Sequence, residues 1–378
     1  MFLYCSIVGY LTGKKKLALI GFNQWKYTIV NNYFDERYIL CPRLIYDKFP
    51  YLVRLLTKGI VCWGCKYDYK DSLSIAIKEE VEDGFLRSVG LGVEKVMPMS
   101  LIVDGSSIHF DRNRVSTIKA MAYRRQQLGE ELLRRSERCI AFIKNYDIDK
   151  YNISRSPSLI ELSKSEEYVL VLGQVDSDAS IRYACEVPIT SNQLVYLAKM
   201  RHPFSKIIYR PHPEVVRELQ TDQESFKNLK RICILDDSGS SLTELLRADE
   251  IKKVYTISSL SGMESLFYNK EVYVYGSPFY SGWGLTNDFN TPFIKSVKLS
   301  ELFYYSYIDY PIYICPFTND RITVEETLII IVLIKNSMVY KDIDGFTIKN
   351  TLFAKELLNS FESEWLVNSS LLKHIREI

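Results

Sequence analysis

Two aspartates follow directly on an apolar run in the second half of the chain, and both are candidates for chemistry. Residues 168–172 are all apolar, Gly173 ends the run, and Asp176 and Asp178 come within the next five residues. A carboxylate at the end of a buried strand can act as a nucleophile or a base. It can equally do no more than cap the helix that follows. The residue types leave both roles open.

A serine-rich turn later in the chain has the composition of an anion site. Ser258, Ser259 and Ser261 precede Gly262 and Glu264, and a helix is predicted to begin at about Gly262. Serine hydroxyls and the amides of a helix N-terminus suit a phosphate. A capping box from Ser261 to Glu264 would explain the same residues without any ligand.

A histidine is enclosed by two prolines in the stretch Arg210, Pro211, His212 and Pro213. The prolines fix the backbone on both sides, so the ring of His212 is held in place. A held histidine beside an arginine can bind a phosphate or protonate a leaving oxygen. The flanking prolines favour phosphate binding or proton donation by His212 over a turn histidine that has no function.

The elements that must position these residues are short apolar runs separated by helical stretches. Continuous apolar strands of this kind indicate a parallel sheet that is covered on both faces. Such sheets bind ligands at the carboxyl ends of their strands, which is where the motifs lie. The predicted strands of the second half are residues 168–173, 206–210, 231–235, 254–258 and 271–276.

The first half has the same rhythm, with predicted strands at residues 17–21 and 59–64. Residues 114–146 are predicted to be a long amphipathic helical region, and polar residues cluster at 147–167. We therefore predict an N-terminal domain over residues 1–160, a second domain over 161–330, and C-terminal helices over 331–378. Those helices either pack back across the domains or lie on a membrane.

The apolar first dozen residues are predicted to be a first strand or an export-incompetent start. Lys14, Lys15 and Lys16 follow the apolar run, whereas a signal peptide carries its charge first, and the run is too short to span a bilayer. A cytoplasmic protein is therefore expected, with peripheral association at the inner face of the membrane left open.

Composition narrows the classes of function. The net charge of +2 provides no global field for nucleic acid. Eight scattered cysteines indicate buried thiols, and the pair Cys62 and Cys65 is predicted to serve packing. Four separated histidines do not predict a zinc site, and no metal is expected.

Taken together, these strings resemble one family, the bacterial capsule-polysaccharide β-Kdo transferases, which use the nucleotide sugar CMP-Kdo. The resemblance covers about residues 60–330, and the strings stand in the family's order. The matching strings are residues 82–88, 100–104, 150–152, 173–180, 210–213, 258–262, 278–286, 310–313 and 322–326.

The resemblance implies an α/β fold of two Rossmann-like domains facing across a cleft (GT-B-like), with CMP-Kdo held mainly by the C-terminal domain. It implies retention of anomeric configuration, which two inversions through a covalent glycosyl–enzyme intermediate achieve most simply. No metal or other cofactor is implied, because histidine, arginine and helix-end amides can neutralise the phosphate. The implied partners are the CMP-Kdo donor and a glycan or glycolipid acceptor, with no nucleic acid.

The same resemblance implies roles for particular residues. Asp178 matches the nucleophile, Glu82 is the candidate acid/base, and His212 contacts the departing phosphate. Arg87 or Arg210 pairs with the carboxylate of the donor sugar. The phosphate is contacted by hydroxyls and backbone amides of Ser259, Ser261 and Gly262, and the ribose is held by Glu264. The nucleotide site also includes Pro213 and Ser258. The sugar substrate is contacted by Gln174, Ser180, Gly282 and Trp283.

Some positions depart from the family pattern. Arg210 stands where lysine is usual, Met263 and Ser265 replace Phe and Ala, and Ser281 replaces Ala. Only one module is present, which implies one linkage rather than two. Three alternatives stay open: a sialyltransferase-like enzyme using another CMP-sugar, a catalytically silent carbohydrate-binding scaffold, and a nucleotide-sugar hydrolase or epimerase.

Overall fold

The structure is a computed structural model of the chain. It describes residues 1–23, 26, 32–64, 77–90, 94–124, 128–152, 160–212, 214–216, 228–237, 241–337, 339–342, 345–348, 351–366, 370, 373 and 375. The strands are β1 Leu17–Ile20, β2 Tyr38–Leu40, β3 Gly59–Trp63, β4 Ile77–Asp83, β5 Ser100–Asp104, β6 Tyr168–Leu172, β7 Lys206–Arg210, β8 Ile234–Leu235, β9 Ile251–Thr256, β10 Glu271–Val274, β11 Asn287–Asp288, β12 Ile312–Ile314, β13 Arg321–Ile322, β14 Val339–Asp342 and β15 Gly345–Ile348.

The helices alternate with these strands through most of the chain. They are α1 Phe2–Leu11, α2 Arg43–Lys48, α3 Pro50–Leu56, α4 Thr117–Arg124, α5 Glu130–Asn145, α6 Ala179–Ala184, α7 Ser191–Arg201, α8 Leu242–Arg247, α9 Leu260–Phe267, α10 Leu299–Phe303, α11 Val324–Lys335 and α12 Thr351–Leu358, with a π-helical stretch at Tyr304–Asp309 and a 3₁₀ turn at Ser363–Trp365.

The chain divides into two compact units. The first contains Met1–Ile108, Arg114–Thr117 and Ser306–Ile378, and the second contains His109–Asn113 and Ile118–Tyr305. The predicted domains 1–160, 161–330 and 331–378 divide the chain at other points. The compact units do not test whether each predicted domain can fold independently, so the predicted domain bounds stay a prediction.

The sheet of the first unit has seven strands in the order β13-β12-β5-β4-β3-β1-β2. The half formed by β2, β1, β3 and β4 is parallel, as expected for a Rossmann-like domain. The other half is antiparallel, because β5 returns against β4 and β12 against β5. The chain thus comes back after residue 306 to complete a sheet that begins near its start.

The sheet of the second unit has six strands, all parallel, in the order β8-β7-β6-β9-β10-β11. Counted within the unit, this is the Rossmann order 3-2-1-4-5-6, in which the direction of winding reverses between the first and fourth strands. All five residues of β6 are buried, which the unbroken apolar run predicted. The reversal lies between β6 and β9.

Most elements expected from the apolar pattern are present, and the α/β prediction is confirmed by the two large sheets. The segment 331–378, which is predicted to contain helices alone, contains the antiparallel pair β14 and β15 besides α12. The region 114–146 forms α4 and α5. Cys62 is buried in the core of the first unit, while Cys65 lies outside the described residues. The prediction of a strand in the first dozen residues is wrong: they form α1. The run is short and mostly apolar, so its apolar residues show no clear period and fit a strand and a helix equally well.

None of the helices in the described part of the chain has the length and apolar character needed to cross a membrane.

Candidate functional site

The reversal point of the second sheet brings two of the predicted motifs together. The loops after β6 and β9 are joined by Gln174, whose side chain is buried. Its Oε1 accepts a hydrogen bond from the backbone N–H of Ser258 at 2.8 Å. Its Nε2 donates to the hydroxyls of Ser258 at 3.2 Å and Ser180 at 3.4 Å. Gln174, predicted to contact substrate, therefore sets the spacing of the two loops.

The two aspartates after β6 have different surroundings. Asp176 is exposed, and its Oδ1 accepts hydrogen bonds from the backbone N–H of Ser191 at 2.9 Å and from its hydroxyl at 3.1 Å, which ties that oxygen to α7; its Oδ2 has no hydrogen bond to any described residue. Asp178 is exposed and caps α6, with Oδ1 accepting from the N–H of Ser180 at 2.8 Å. Its Oδ2 has no hydrogen bond to any described residue. The cap is therefore present, and the same carboxylate keeps one oxygen for a ligand.

The helix α9 begins two residues earlier than the capping-box reading requires, so that reading is wrong. Ser259 is the N-cap, and its hydroxyl accepts from the N–H of Ser261 at 3.3 Å. The N–H of Gly262 donates to the carbonyl of Ser259 at 3.0 Å. Because the cap lies at Ser259, the side chain of Glu264 cannot close a box with Ser261.

Gly262 is required by its neighbours. A Cβ atom at this position would lie 2.3 Å from the hydroxyl oxygen of Tyr280 and 2.9 Å from Cγ2 of Thr256. The Tyr280 hydroxyl also donates to the carbonyl of Ser259. The start of α9 is therefore packed against Tyr280, which the sequence did not single out.

Glu264 is buried beneath this turn. Its carboxylate accepts a hydrogen bond from the backbone N–H of Lys150 at 3.1 Å and is also bonded to the side chain of Ser261. Burial, and secondly the negative charge of Asp149, raise the pKa of Glu264 to about 7. The carboxyl thus titrates near neutral pH beside the predicted phosphate site.

A group of basic residues that the sequence did not assign lies in the same unit. Burial, with smaller effects of Lys150 and Lys119, lowers the pKa of His109 to about 3 and keeps its ring neutral. Burial also lowers the pKa of Lys119, against the opposing effect of Asp111, and its Nζ donates to the carbonyl of Ser277 at 3.4 Å. Lys150 belongs to the string 150–152 that matches the family, but the sequence assigned it no role. The three residues come from separate segments of the chain, so no local sequence pattern groups them.

Arg210 and His212 follow β7. The guanidinium of Arg210 is ion-paired with Asp236, whose side chain is fully buried. His212 is half-buried, and its Nδ1 accepts from the N–H of Glu214 at 3.3 Å, which places the ring proton of a neutral His212 on Nε2. Pro213 lies outside the described residues. The predicted phosphate roles of Arg210 and His212 stay predictions.

In the first unit, Arg87 is almost fully buried and holds together a local network. Its Nε donates to Asp83 at 2.8 Å, Nη1 to the Ser88 hydroxyl at 2.7 Å, and Nη2 to the carbonyl of Val96 at 3.1 Å. Glu82 lies half-buried on β4, with Oε1 accepting from the N–H of Asp83 at 3.2 Å. The acid/base role of Glu82 and the sugar contact of Arg87 stay predictions.

The glycine- and tryptophan-containing loop after β10 is a packed structural loop. The N–H of Gly282 donates to Asp288 at 2.8 Å, and its φ of +85° suits glycine. Trp283 is 1% exposed, and its indole N–H donates to the carbonyl of Phe279 at 2.7 Å. A contact between Trp283 and substrate, which the sequence predicted, would require this loop to open.

Comparison with known proteins identifies several relatives. Residues 58–313 match the family model described as "Capsule polysaccharide biosynthesis protein". The lipopolysaccharide-processing protein LpsZ of Rhizobium meliloti is 34% identical over 343 residues, covering 86% of this chain and 76% of that protein. The capsule polysaccharide modification protein LipA of Neisseria meningitidis serogroup B is 35% identical over 354 residues, covering 90% of this chain. The chain spans about half of LipA, 48% of its length.

Two solved structures share the fold. The β-Kdo 2,4 transferase of Thermosulfurimonas dismutans KpsC aligns with a TM-score of 0.68 at 26% identity, covering 84% of this chain and 98% of that one. The β-Kdo 2,7 transferase of the same KpsC aligns with a TM-score of 0.65 at 25% identity, covering 85% and 100%. With the two large sheets, these likenesses confirm the predicted α/β fold class and the family resemblance that the motifs indicated.

Proposed function

Because the chain belongs to the capsule polysaccharide biosynthesis protein family, we propose that it is a retaining β-Kdo transferase. In this proposal it moves Kdo from CMP-Kdo to a glycan or glycolipid acceptor in the synthesis of a surface polysaccharide. The observation that carries the proposal is the pairing of Gln174 with Ser258 at the reversal point of a Rossmann-ordered sheet. That is where such sheets bind nucleotides, and the two solved relatives are named as β-Kdo transferases.

The nucleotide phosphate is assigned to the start of α9 and to His212. The N-terminal end of a helix is electropositive and favours a phosphate. Ser258, Ser259 and Ser261 add hydroxyls there, and Gly262 lets the start of α9 pack against Tyr280. The Nε2–H of a neutral His212 would be a suitable donor to a phosphate oxygen. Neutralising charge on the departing CMP in this way would supply much of the rate.

The sugar is assigned to Asp178. Its carboxylate would attack the anomeric carbon, so that the bond from that carbon to the CMP phosphate oxygen breaks and CMP leaves with the electron pair. An acceptor hydroxyl, its proton taken by Glu82, would then displace Asp178 from the same carbon. Two inversions give net retention. The choice of Asp178 over Asp176 rests on the family's sequence pattern; each carboxylate has one oxygen bonded to the protein, Oδ1 of Asp178 to the N–H of Ser180 and Oδ1 of Asp176 to Ser191.

The proposal includes peripheral association with the inner face of the cytoplasmic membrane, where a glycolipid acceptor would be found. It assigns phosphate neutralisation to protein groups and no step to a metal.

The test is donor turnover with the purified chain. Incubation with CMP-Kdo and a β-Kdo-terminated glycolipid should release CMP and yield a product whose new linkage is β by NMR, while CMP-sialic acid should not be consumed. Release of CMP from CMP-sialic acid but not from CMP-Kdo would favour the sialyltransferase-like alternative. CMP release without a glycosidic product would indicate a hydrolase.

A further inference from the structure

The helix α1 buries one narrow face and leaves an apolar face exposed. Phe2, Ser6 and Gly9, at helical spacing, are its buried residues. The side chains that remain exposed are also apolar, whereas the outer face of a helix on a soluble domain is normally polar. They are Leu3, Tyr4, Ile7, Val8, Tyr10 and Leu11.

The helices α2 and α3 and the residue between them continue this exposed apolar surface. Phe2 of α1 and Val53 of α3 belong to one core cluster, so both helices lie on the same side of the first sheet. The Lys15 Nζ donates to the carbonyl of Leu55 at 2.9 Å, which joins the end of α1 to the end of α3. The exposed apolar residues here are Leu44, Phe49, Tyr51, Leu52 and Leu55. We call these two sets together the α1–α3 face.

The charge around the α1–α3 face has one sign. Residues 1–16 and 43–58 contain seven basic side chains and a single acidic one, Asp47, which is paired with Arg43. Five of the basic residues are exposed, and Lys15 and Lys16 are half-buried. The basic residues are Lys14, Lys15, Lys16, Arg43, Lys48, Arg54 and Lys58.

We propose that the α1–α3 face docks the protein onto the surface of an anionic phospholipid bilayer. Exposed tyrosine and phenylalanine suit the interface between headgroups and acyl chains, and a basic margin suits lipid phosphates. The ten residues of α1 extend about 15 Å, roughly half the hydrocarbon core of a bilayer, so the helix lies in the membrane plane. A second copy of this chain is a poorer occupant, because the two basic margins would repel each other.

This assignment deepens the peripheral association included in the proposed function, and it is independent of which sugar is transferred. It places the docking surface on α1–α3 of the first unit, whereas the sequence had left membrane contact to the C-terminal helices.

The test is flotation of the purified chain, tagged at its C-terminus, with vesicles of phosphatidylcholine alone or with one-quarter phosphatidylglycerol. We expect binding to the mixed vesicles only, and weaker binding at high salt. Tyr4→Ser with Leu11→Ser, and separately Lys14→Glu with Arg54→Glu, should each lower the vesicle partition coefficient by about tenfold or more.

Matched controls lie on the second unit. Met200→Ser with Phe204→Ser removes apolar side chains at least as exposed, and Lys164→Glu with Lys252→Glu makes the same change of charge. Both controls should bind vesicles like the wild type, and all variants should keep wild-type turnover of CMP-Kdo with a detergent-solubilised acceptor. Equal vesicle binding by wild type and the α1–α3 variants, no binding by wild type, or a dimer that only the α1–α3 variants lose would each overturn the assignment. Absence of CMP-Kdo turnover by the wild-type protein would instead count against the transferase proposal alone.

Discussion

The loop edge of the second unit and the Arg87 network of the first unit use polar groups in opposite ways. At Arg87 three guanidinium nitrogens are satisfied inside the protein, and the side chain is 1% exposed. At the edge of β6 and β9, Gln174 fixes the loops from within, while Asp178 is exposed with one carboxylate oxygen open. The comparison indicates that a conspicuous charged residue can be part of the scaffold, whereas an exposed carboxylate with an oxygen not bonded to a described residue is a candidate for ligand contact.

The largest effect should come from the open carboxylate. Asp178→Asn should reduce Kdo transfer by at least about a thousandfold, since an amide is a poor nucleophile. Asparagine still caps a helix, so CMP affinity and the unfolding midpoint should change little. Single-turnover assays, calorimetric CMP titration and urea unfolding would measure the three quantities.

Asp176→Asn is the matched control, because Asp176 lies two residues away and is tied to Ser191. Its transfer rate should stay within a few-fold of wild type. If Asp176→Asn abolished transfer and Asp178→Asn did not, the roles of the two carboxylates would be reversed.

The next effect should be on stability. Arg87→Met should lower the free energy of unfolding by about 3 kcal/mol, because it leaves the Asp83 carboxylate in a largely buried position without its partner. Arg37→Met, which breaks the exposed pair with Asp35, should have no measurable effect in the same urea titration. If Arg87→Met folded as stably as wild type but failed to bind CMP-Kdo, Arg87 would be a ligand residue after all.

The smallest effect should be a pH dependence at Glu264. Because the folded pKa is raised from 4.5 to about 7, the protonated carboxyl contributes stability at low pH that is lost as the pH rises through about 7. Glu264→Gln should therefore be close to wild type at pH 4.5 and more stable at pH 8, by on the order of 2 kcal/mol. Denaturant titration at both pH values measures this.

Glu137→Gln, at an exposed position of α5, is the control that removes a carboxylate from the surface of the same unit. A difference between wild type and Glu264→Gln that does not change with pH would contradict the buried, titrating carboxyl.

The sequence predicted the strands of the second sheet and their parallel arrangement well because they are unbroken apolar runs, as β6 shows; their order came from the structure. The first unit was harder, because the pairing of Ile312 with Leu101 joins residues about two hundred positions apart. No local pattern carries that information. The apolar period also failed for α1, because its exposed residues are apolar and its buried residues include Ser6 and Gly9.

The candidate site was predictable in its positions and less so in its details. Ser258, Ser259 and Ser261 offer several capping serines in a row, and the sequence does not choose among them. The contact of Glu264 with the backbone of Lys150 joins residues 114 positions apart. Likewise, the burial of Trp283 depends on how its loop packs, so an aromatic residue expected to face a ligand is part of the core.

The most direct test of the central claim is to trap the covalent intermediate. Wild-type protein incubated with CMP-Kdo without acceptor should show, by peptide mass spectrometry, one Kdo residue added to the peptide that contains Asp178, and the adduct should disappear when acceptor is added. An adduct on another carboxylate, or full transfer activity in Asp178→Asn, would contradict the account.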